Sequence, residues 1–128
     1  MAATSAIQFE GKTMQERGIK ACAVFLERRG YEILERDWKC DAGKIDLIAK
    51  DDEDTVVFLE VHVYDVAEEG MPEDDVSLEN RRRSEIIAGT YLAAADEVDI
   101  KVRFDIISLL VIGSDRALLR HHINVFNS

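Results

Sequence analysis

The sequence predicts an α/β protein of the mixed-sheet, α+β type, with helices flanking a central sheet. Two segments carry apolar residues at helical spacing, and five others are rich in apolar and β-branched residues, as strands are. Their order is α-β-β-β-α-β-β, so hairpin-joined strands and a helix-connected strand share one sheet. The chain has 128 residues, of which 47% are hydrophobic, and this suits a single domain over residues 1–128 with a substantial core.

The N-terminal part is predicted to contain a flexible end and one helix. Residues 1–11 form the flexible end, and the helix covers about residues 13–29. Thr13 is suited to the N-cap position, with Glu16 three residues later, and Gly30 is suited to end the helix. The apolar residues that recur at helical spacing are Ile19, Cys22, Phe25 and Leu26.

Three strands follow, and the last two are predicted to form a hairpin around an acidic turn. Residues 31–38 form the first strand, and a turn at residues 41–43 leads into the hairpin strands, 43–50 and 55–64. Side chains alternate between the two faces of a strand. One face therefore receives Ile45, Leu47 and Ala49, and the other receives Lys44, Asp46 and Ile48.

The register of this hairpin predicts a pair of facing carboxylates. If the turn is centred on Glu53, opposed residue numbers sum to 106. Asp46 then lies opposite Glu60, and Lys44 lies opposite His62. Two acidic side chains would face each other on a sheet that otherwise has the composition of a core.

The second half of the chain is predicted to hold a helix and two more strands. Asp75 or Ser77 is suited to cap the helix, which continues to about Ala95. Residues 100–112 first alternate and then become continuously apolar, which is typical of a strand buried on both faces. Residues 117–126 form the last strand.

The charge distribution is unfavourable for binding a phosphate backbone. The net charge is −10, and residues 51–80 contain twelve acidic side chains and no Lys or Arg. Affinity for nucleic acid depends largely on Lys and Arg side chains. The one basic run, Arg81, Arg82 and Arg83, lies at the start of the second predicted helix. It could contact phosphate, or it could offset the neighbouring acidic residues.

Both cysteines are predicted to be free thiols. Cys22 and Cys40 do not have a metal-ligand spacing, and a chain of this size does not need a disulfide to be stable. No apolar stretch approaches the roughly 20 residues that a membrane span requires. We therefore expect a cytoplasmic protein.

Several segments resemble the YraN family of small bacterial proteins, and the resemblance runs from Gly18 to Phe126. The matching segments are residues 26–38 (LERRGYEILERDW), 43–49 (GKIDLIA), 57–62 (VFLEVH), 103–107 (RFDII) and 122–126 (HINVF). That family is similar in turn to restriction-endonuclease-like and Holliday-junction-resolvase-like nucleases, whose core is a mixed sheet between helices. The resemblance implies this fold.

The resemblance also implies a metal-dependent phosphodiesterase site. Asp46 and Glu60 match the carboxylates that hold Mg²⁺ or Mn²⁺ in such nucleases, which act on DNA. Mg²⁺ prefers oxygen ligands and retains several waters, so two carboxylates suffice for an open site. In the same nucleases a nearby Lys orients the attacking water and offsets developing charge.

The chain departs from the family pattern around these carboxylates. The pattern GEIDLI has Glu where this chain has Lys44, and the pattern EVK has Lys where this chain has His62. A Glu on the first helix aligns with Ile19, while Glu16 lies one turn earlier. An Arg that often follows EVK by two positions is Tyr64.

Two functions follow as alternatives. The first is a metal-dependent nuclease that cleaves linear or branched DNA. The second is a catalytically inactive nucleic-acid- or protein-binding module of the same fold, which could form a homodimer and hold no cofactor. Lys44 could neutralise the carboxylate pair or take over the role of the missing lysine. His62 could be a metal ligand, a general base or a polar residue of the sheet face.

Overall fold

The computed structural model describes residues 4–11, 13–65, 77–95 and 99–126, and it confirms a mixed sheet with helices on it. The elements in chain order are β1 (Thr4–Gln8), α1 (Met14–Arg28), β2 (Glu32–Cys40), β3 (Gly43–Lys50), β4 (Val56–Asp65), α2 (Leu78–Leu92), β5 (Val102–Ile112) and β6 (Arg116–His122). Within the described residues, no helix is long and apolar enough to cross a membrane.

All six strands form one sheet in the order β1-β6-β5-β4-β3-β2. Strands β4 and β5 are parallel, and every other neighbouring pair is antiparallel. The parallel pair is the one whose connection contains α2, because a parallel neighbour requires a long crossover rather than a tight turn. The α-β-β-β-α-β-β order predicted from the sequence is therefore present, with β1 added in front of it.

Alternation along the strands divides the core into two clusters, one on each face of the sheet. The cluster containing α1 buries Leu47, Val57 and Leu59 against residues such as Phe25. The cluster containing α2 buries Ile48 and Phe58 against Ile87 and Ala88, with Trp38 and Tyr91 at its margin. The two helices thus lie over opposite faces of the hairpin β3–β4.

Both helices begin at the predicted cap residues. Thr13 Oγ1 accepts a hydrogen bond from the Glu16 N–H at 3.1 Å, and Ser77 Oγ accepts one from the Asn80 N–H at 3.2 Å. Gly30 follows α1 with φ +88°, a conformation that favours glycine after a helix end. Asp75, the other predicted cap of α2, lies outside the described residues. The second helix ends at Leu92, before the predicted Ala95.

Residues 4–8 form a strand, within the segment 1–11 for which the sequence predicts a flexible end. Thr4–Gln8 pairs antiparallel with β6, and the Phe9 side chain is completely buried. Local sequence gives little indication of this, because a five-residue edge strand depends on its partner for hydrogen bonds. It is the tertiary position beside β6 that orders the segment.

The predicted hairpin register is correct, but the ladder is shorter than predicted. Leu47 pairs with Leu59, and the pairs continue towards the turn with numbers that sum to 106. Before Leu47, β3 no longer pairs with β4, so neither of the predicted pairs, Asp46 with Glu60 and Lys44 with His62, belongs to the ladder. Lys44 instead pairs with Lys39 of β2. We call this divergence of the two strands the β3–β4 fork.

The fork also changes which face the first residues of β3 occupy. Ile45 packs in the cluster with Ile48, on the α2 face, rather than with Leu47 and Ala49 as alternation predicts. The reason lies at Asp46, whose side chain binds both the β4 backbone and a residue of α1. Strand alternation is therefore interrupted at the residue that the sequence singled out.

Candidate functional site

An open cavity of about 470 Å³ lies at the β3–β4 fork. It contains all four residues predicted for the site, together with one residue of the basic run. The lining residues are Gln15, Ala42, Gly43, Lys44, Asp46, Glu60, Val61, His62 and Arg83. The two carboxylates therefore share one cavity, although β3 and β4 are not paired at this level.

Asp46 is held in place by donors from three directions. Its Oδ2 accepts a hydrogen bond from the Val61 N–H at 2.7 Å. If β3 continued alongside β4, this N–H would instead bond to the β3 backbone. Its Oδ1 accepts from Gln15 Nε2 at 2.8 Å and from Lys44 Nζ at 3.1 Å. The fork thus leaves one backbone donor unpaired, and Asp46 satisfies it.

Glu60 is approached from the other side of the sheet, by α2. His62 Nε2 lies 3.1 Å from Oε2, and Arg83 Nη2 lies 3.3 Å from Oε1. Burial alone would raise the pKa of Glu60, but hydrogen bonding from His62 and the positive charges of His62 and Arg83 outweigh it. The pKa of Glu60 is therefore lowered, and the side chain is ionised at neutral pH.

The bond to Glu60 fixes which nitrogen of His62 carries a proton. An ionised carboxylate can only accept, so Nε2 donates to Glu60. Nδ1 lies 3.4 Å from the Tyr64 hydroxyl, which can donate to it when the ring is neutral. The imidazole is thereby tied to the carboxylate, and in this geometry its Nε2 proton is committed to Glu60.

The basic run does not form one surface. Arg83 lines the cavity and also donates to the Asn80 side chain, so it bridges Asn80 and Glu60. Arg81 instead forms an exposed ion pair with Glu85, one turn further along α2, at 3.8 Å. Helical geometry explains the division, because residues two apart point in different directions.

A divalent cation fits this donor set as an open site rather than a closed cage. Within the described parts of the chain, no three His, Cys, Asp or Glu side chains are grouped as a metal site. Mg²⁺ commonly uses one or two carboxylates and keeps its remaining waters. Asp46 and Glu60 are the residues that would hold such an ion, and Lys44 and Arg83 already offset part of their charge.

The sequence matches a known family over most of its length. The pattern of the uncharacterised protein family UPF0102 covers residues 19–109. The chain belongs to this family. A UPF0102 protein of Geobacter sulfurreducens is 31% identical over 115 residues, which cover 90% of this chain and 89% of the relative. A UPF0102 protein of Caldanaerobacter subterraneus is 33% identical over 90% of this chain and 95% of its own.

Membership of UPF0102 confirms the predicted YraN-like resemblance. A third relative, from Roseiflexus castenholzii, is 37% identical over 79% of this chain and 76% of its own. Among solved structures, SfsA of Pyrococcus furiosus in complex with Ca²⁺ aligns with 84% of this chain and 60% of that protein. Its sequence identity is 14% and its TM-score is 0.35, a similarity too low to carry an argument about this chain.

This UPF0102 member brings a residue to the site that sequence reasoning missed. Gln15, in the first turn of α1, donates to Asp46, whereas Ile19, aligned with the expected helix Glu, is buried in the core. Its position in the sequence could have indicated it, because Gln15 lies four residues, or about one helical turn, before Ile19 and so on the same side of α1. Only the packing of α1 on the sheet shows that this turn reaches Asp46.

A second polar cluster in the UPF0102 chain lies around Asp105 and is structural. Asp105 is 1% exposed and accepts bidentate hydrogen bonds from Arg103 at 2.9 and 3.0 Å. It also accepts from His121 Nε2 at 2.8 Å and from the Asn124 N–H at 2.9 Å. Arg103 continues to Asp51 in the β3–β4 turn at 3.0 Å. The cluster therefore ties β5 to β6 and to the turn of the hairpin.

Proposed function

We propose that this UPF0102 protein hydrolyses phosphodiester bonds in DNA with a divalent metal, Mg²⁺ or Mn²⁺, held by Asp46 and Glu60. One observation carries the proposal: two carboxylates from adjacent strands line the same cavity, where the strands separate. The β3–β4 ladder ends at the pair Leu47–Leu59, and the cavity with both carboxylates lies beyond that pair. We place this activity in the cytoplasm, where thiols such as Cys22 and Cys40 stay reduced.

The protein's own groups orient the two carboxylates. Gln15 and the Val61 N–H fix Asp46, while His62 and Arg83 fix Glu60. A divalent cation bound between them would polarise the phosphate and lower the pKa of a water. Because the positions are set by hydrogen bonds to rigid strands and helices, little reorganisation accompanies the reaction.

The test compares matched carboxamide variants. In wild type, Mn²⁺ titration by calorimetry should show one site, and linear or branched DNA should be cleaved when the metal is added. Asp46→Asn and Glu60→Gln should each lower cleavage by at least about a hundredfold, because each removes a charged ligand. Glu85→Gln, an exposed carboxylate on α2, serves as the control and should cleave like wild type.

Two results would overturn the proposal. One is a wild-type protein that does not bind Mn²⁺. The other is Mn²⁺ binding that is unchanged in Asp46→Asn. In either case the carboxylate pair would not be a metal site.

A second function is favoured by the cations already bound to both carboxylates. Lys44 pairs with Asp46 and Arg83 with Glu60, as expected of a site that is neutralised without metal. The protein would then be an inactive nucleic-acid- or protein-binding module, either monomeric or homodimeric. The expected sign is a salt-sensitive DNA mobility shift without cleavage, weakened in the double variant Arg82→Ala, Arg83→Ala. No DNA binding at ~50 mM salt, where electrostatic affinity is large, would contradict both the nuclease and the nucleic-acid-binding module.

A further inference from the structure

Lys44 donates a hydrogen bond to one carboxylate oxygen of Asp46, a cavity residue on β3. Its Nζ lies 3.1 Å from Asp46 Oδ1, which also accepts from Gln15 Nε2. The other oxygen, Oδ2, is used by the Val61 N–H. A carboxylate offers about four acceptor positions, so three of those on Asp46 are filled by protein donors.

Of these donors, Lys44 is the one that a cation would displace. The Val61 N–H belongs to a paired strand and cannot move independently, and Gln15 is neutral, so it does not repel a metal ion. The Lys44 ammonium repels a divalent cation, and it shares Asp46 Oδ1 with Gln15. Its side chain is 50% exposed, so the ammonium can leave Asp46 without unfavourable desolvation.

The other two basic side chains in the cavity are held elsewhere. Arg83 binds Glu60 and Asn80, and His62 binds Glu60. Arg83 thus bridges Glu60 and Asn80, and His62 lies between Glu60 and the Tyr64 hydroxyl. Lys44 donates to Asp46 with one of the three donors that an ammonium carries. Among the described cavity residues, Lys44 is therefore the cation best placed to change partners.

We propose that Lys44 exchanges Asp46 for a phosphate of the substrate when a divalent ion binds. In the metal-free protein the ammonium neutralises Asp46. When the ion takes Asp46, the released ammonium remains in the cavity and binds the anionic phosphate. Metal binding and phosphate binding are thereby coupled through one side chain, and each strengthens the other by the same factor. The inference rests on the proposed metal site, but it concerns binding rather than hydrolysis.

Calorimetry measures this coupling directly. Thymidine 3′,5′-bisphosphate serves as the phosphate probe, titrated with and without Mn²⁺. The variants are Lys44→Met, Lys44→Arg and the control Lys39→Met, whose exposed lysine is the β2 partner of Lys44 and does not line the cavity. Thermal unfolding of each variant verifies that it is folded.

The Lys44 and Lys39 variants are expected to differ in metal binding and in the coupling between metal and phosphate. Lys44→Met should bind Mn²⁺ alone more tightly, by up to about fivefold, because a competing surface cation is gone. The factor by which Mn²⁺ enhances bisphosphate affinity should fall about tenfold in Lys44→Met. Lys44→Arg should retain most of the enhancement, and Lys39→Met should match wild type.

Three other outcomes have distinct meanings. Equal coupling in wild type and Lys44→Met would overturn the exchange. Lys44-dependent coupling in a protein that cleaves no DNA would leave the exchange intact and overturn the proposed hydrolysis. Failure of wild type to bind Mn²⁺ would overturn both.

Discussion

Asp105 shows how a buried charge is stabilised in this protein. Its carboxylate is buried, and it accepts hydrogen bonds from Arg103, His121 and the Asn124 backbone. A buried charge in this position is stable only while its partners remain, because its hydration has been lost.

Replacing this carboxylate should destabilise the fold. In Asp105→Asn the Arg103 charge loses its main partner inside the protein, so the free energy of unfolding should fall by about 3 kcal/mol. Glu85→Gln removes the carboxylate of an exposed ion pair and should change it by less than about 0.5 kcal/mol. Urea denaturation measures both, and equal values for the two variants would contradict the structural role of the cluster.

The same carboxylate gives the stability a dependence on pH. Burial would raise the pKa of Asp105, but hydrogen bonds from His121 and Arg103 outweigh it and hold the pKa below its usual range. Its contribution is therefore present above the unfolded pKa of about 3.9 and is lost as the pH falls through the folded pKa. Below about pH 4, the free energy of unfolding should decrease less steeply in Asp105→Asn than in wild type. A slope unchanged by the substitution would show that Asp105 is not the responsible group.

At the scale of elements, the packing of α1 on β4 positions the site. A Cβ added at Gly18 would lie 2.8 Å from Val63 Cγ2 and 3.2 Å from Val61 Cγ1, so helix and strand are in close contact there. Gln15 precedes this contact by one turn, and Val61 belongs to both the contact and the cavity. The distance between α1 and β4 therefore also sets the Gln15–Asp46 bond.

Two glycine substitutions in helices should have opposite effects. Gly18→Ala should lower the free energy of unfolding by about 1–3 kcal/mol, because the new methyl group displaces α1 from β4. At Gly89 in α2, an added Cβ would have no atom of the described residues within 4 Å apart from its own helix backbone and chain neighbours, so Gly89→Ala should raise the free energy of unfolding by about 0.5–1 kcal/mol. Thermal and urea unfolding distinguish them, and a stabilising Gly18→Ala would show that the contact is looser than described.

At the scale of the whole molecule, β1 completes the sheet and part of the core. The strand covers the outer edge of β6, and Phe9 directly after it is completely buried in the cluster that contains α1. Arg17 lies over the Phe9 ring and donates to its carbonyl oxygen at 2.8 Å. The N-terminal segment is thus joined to both the sheet and the helix that carries Gln15.

Truncating Phe9 should reveal this contribution. Phe9→Ala should lower the free energy of unfolding by about 3–5 kcal/mol, since it removes a large side chain from a filled core. Val24→Ala, on the exposed side of α1, should change it by less than about 0.5 kcal/mol. Denaturant unfolding tests the pair. A cost for Phe9→Ala no larger than for Val24→Ala would mean that the N-terminal segment is dispensable.

Much of the fold was predictable because it depends on local patterns. The helix caps Thr13 and Ser77, the strands of the hairpin and its register around Glu53 all follow from residue types at fixed spacing. Strand β1 was not predictable in this way. Its pairing with β6 joins residues more than a hundred positions apart, and a strand of only five residues is too short to show a clear periodic pattern.

The sequence by itself predicted the mixed sheet, the order of the elements from α1 onwards and the proximity of Asp46 and Glu60, because periodicity and residue chemistry are properties of short segments. Only the tertiary structure decided where β3 separates from β4, since that depends on whether Val61 bonds to a strand or to Asp46. The same packing decided that Gln15 reaches Asp46 and that Lys44 pairs with Asp46 rather than facing His62. These contacts join separate elements, and their geometry is fixed only when the helices and the sheet pack together.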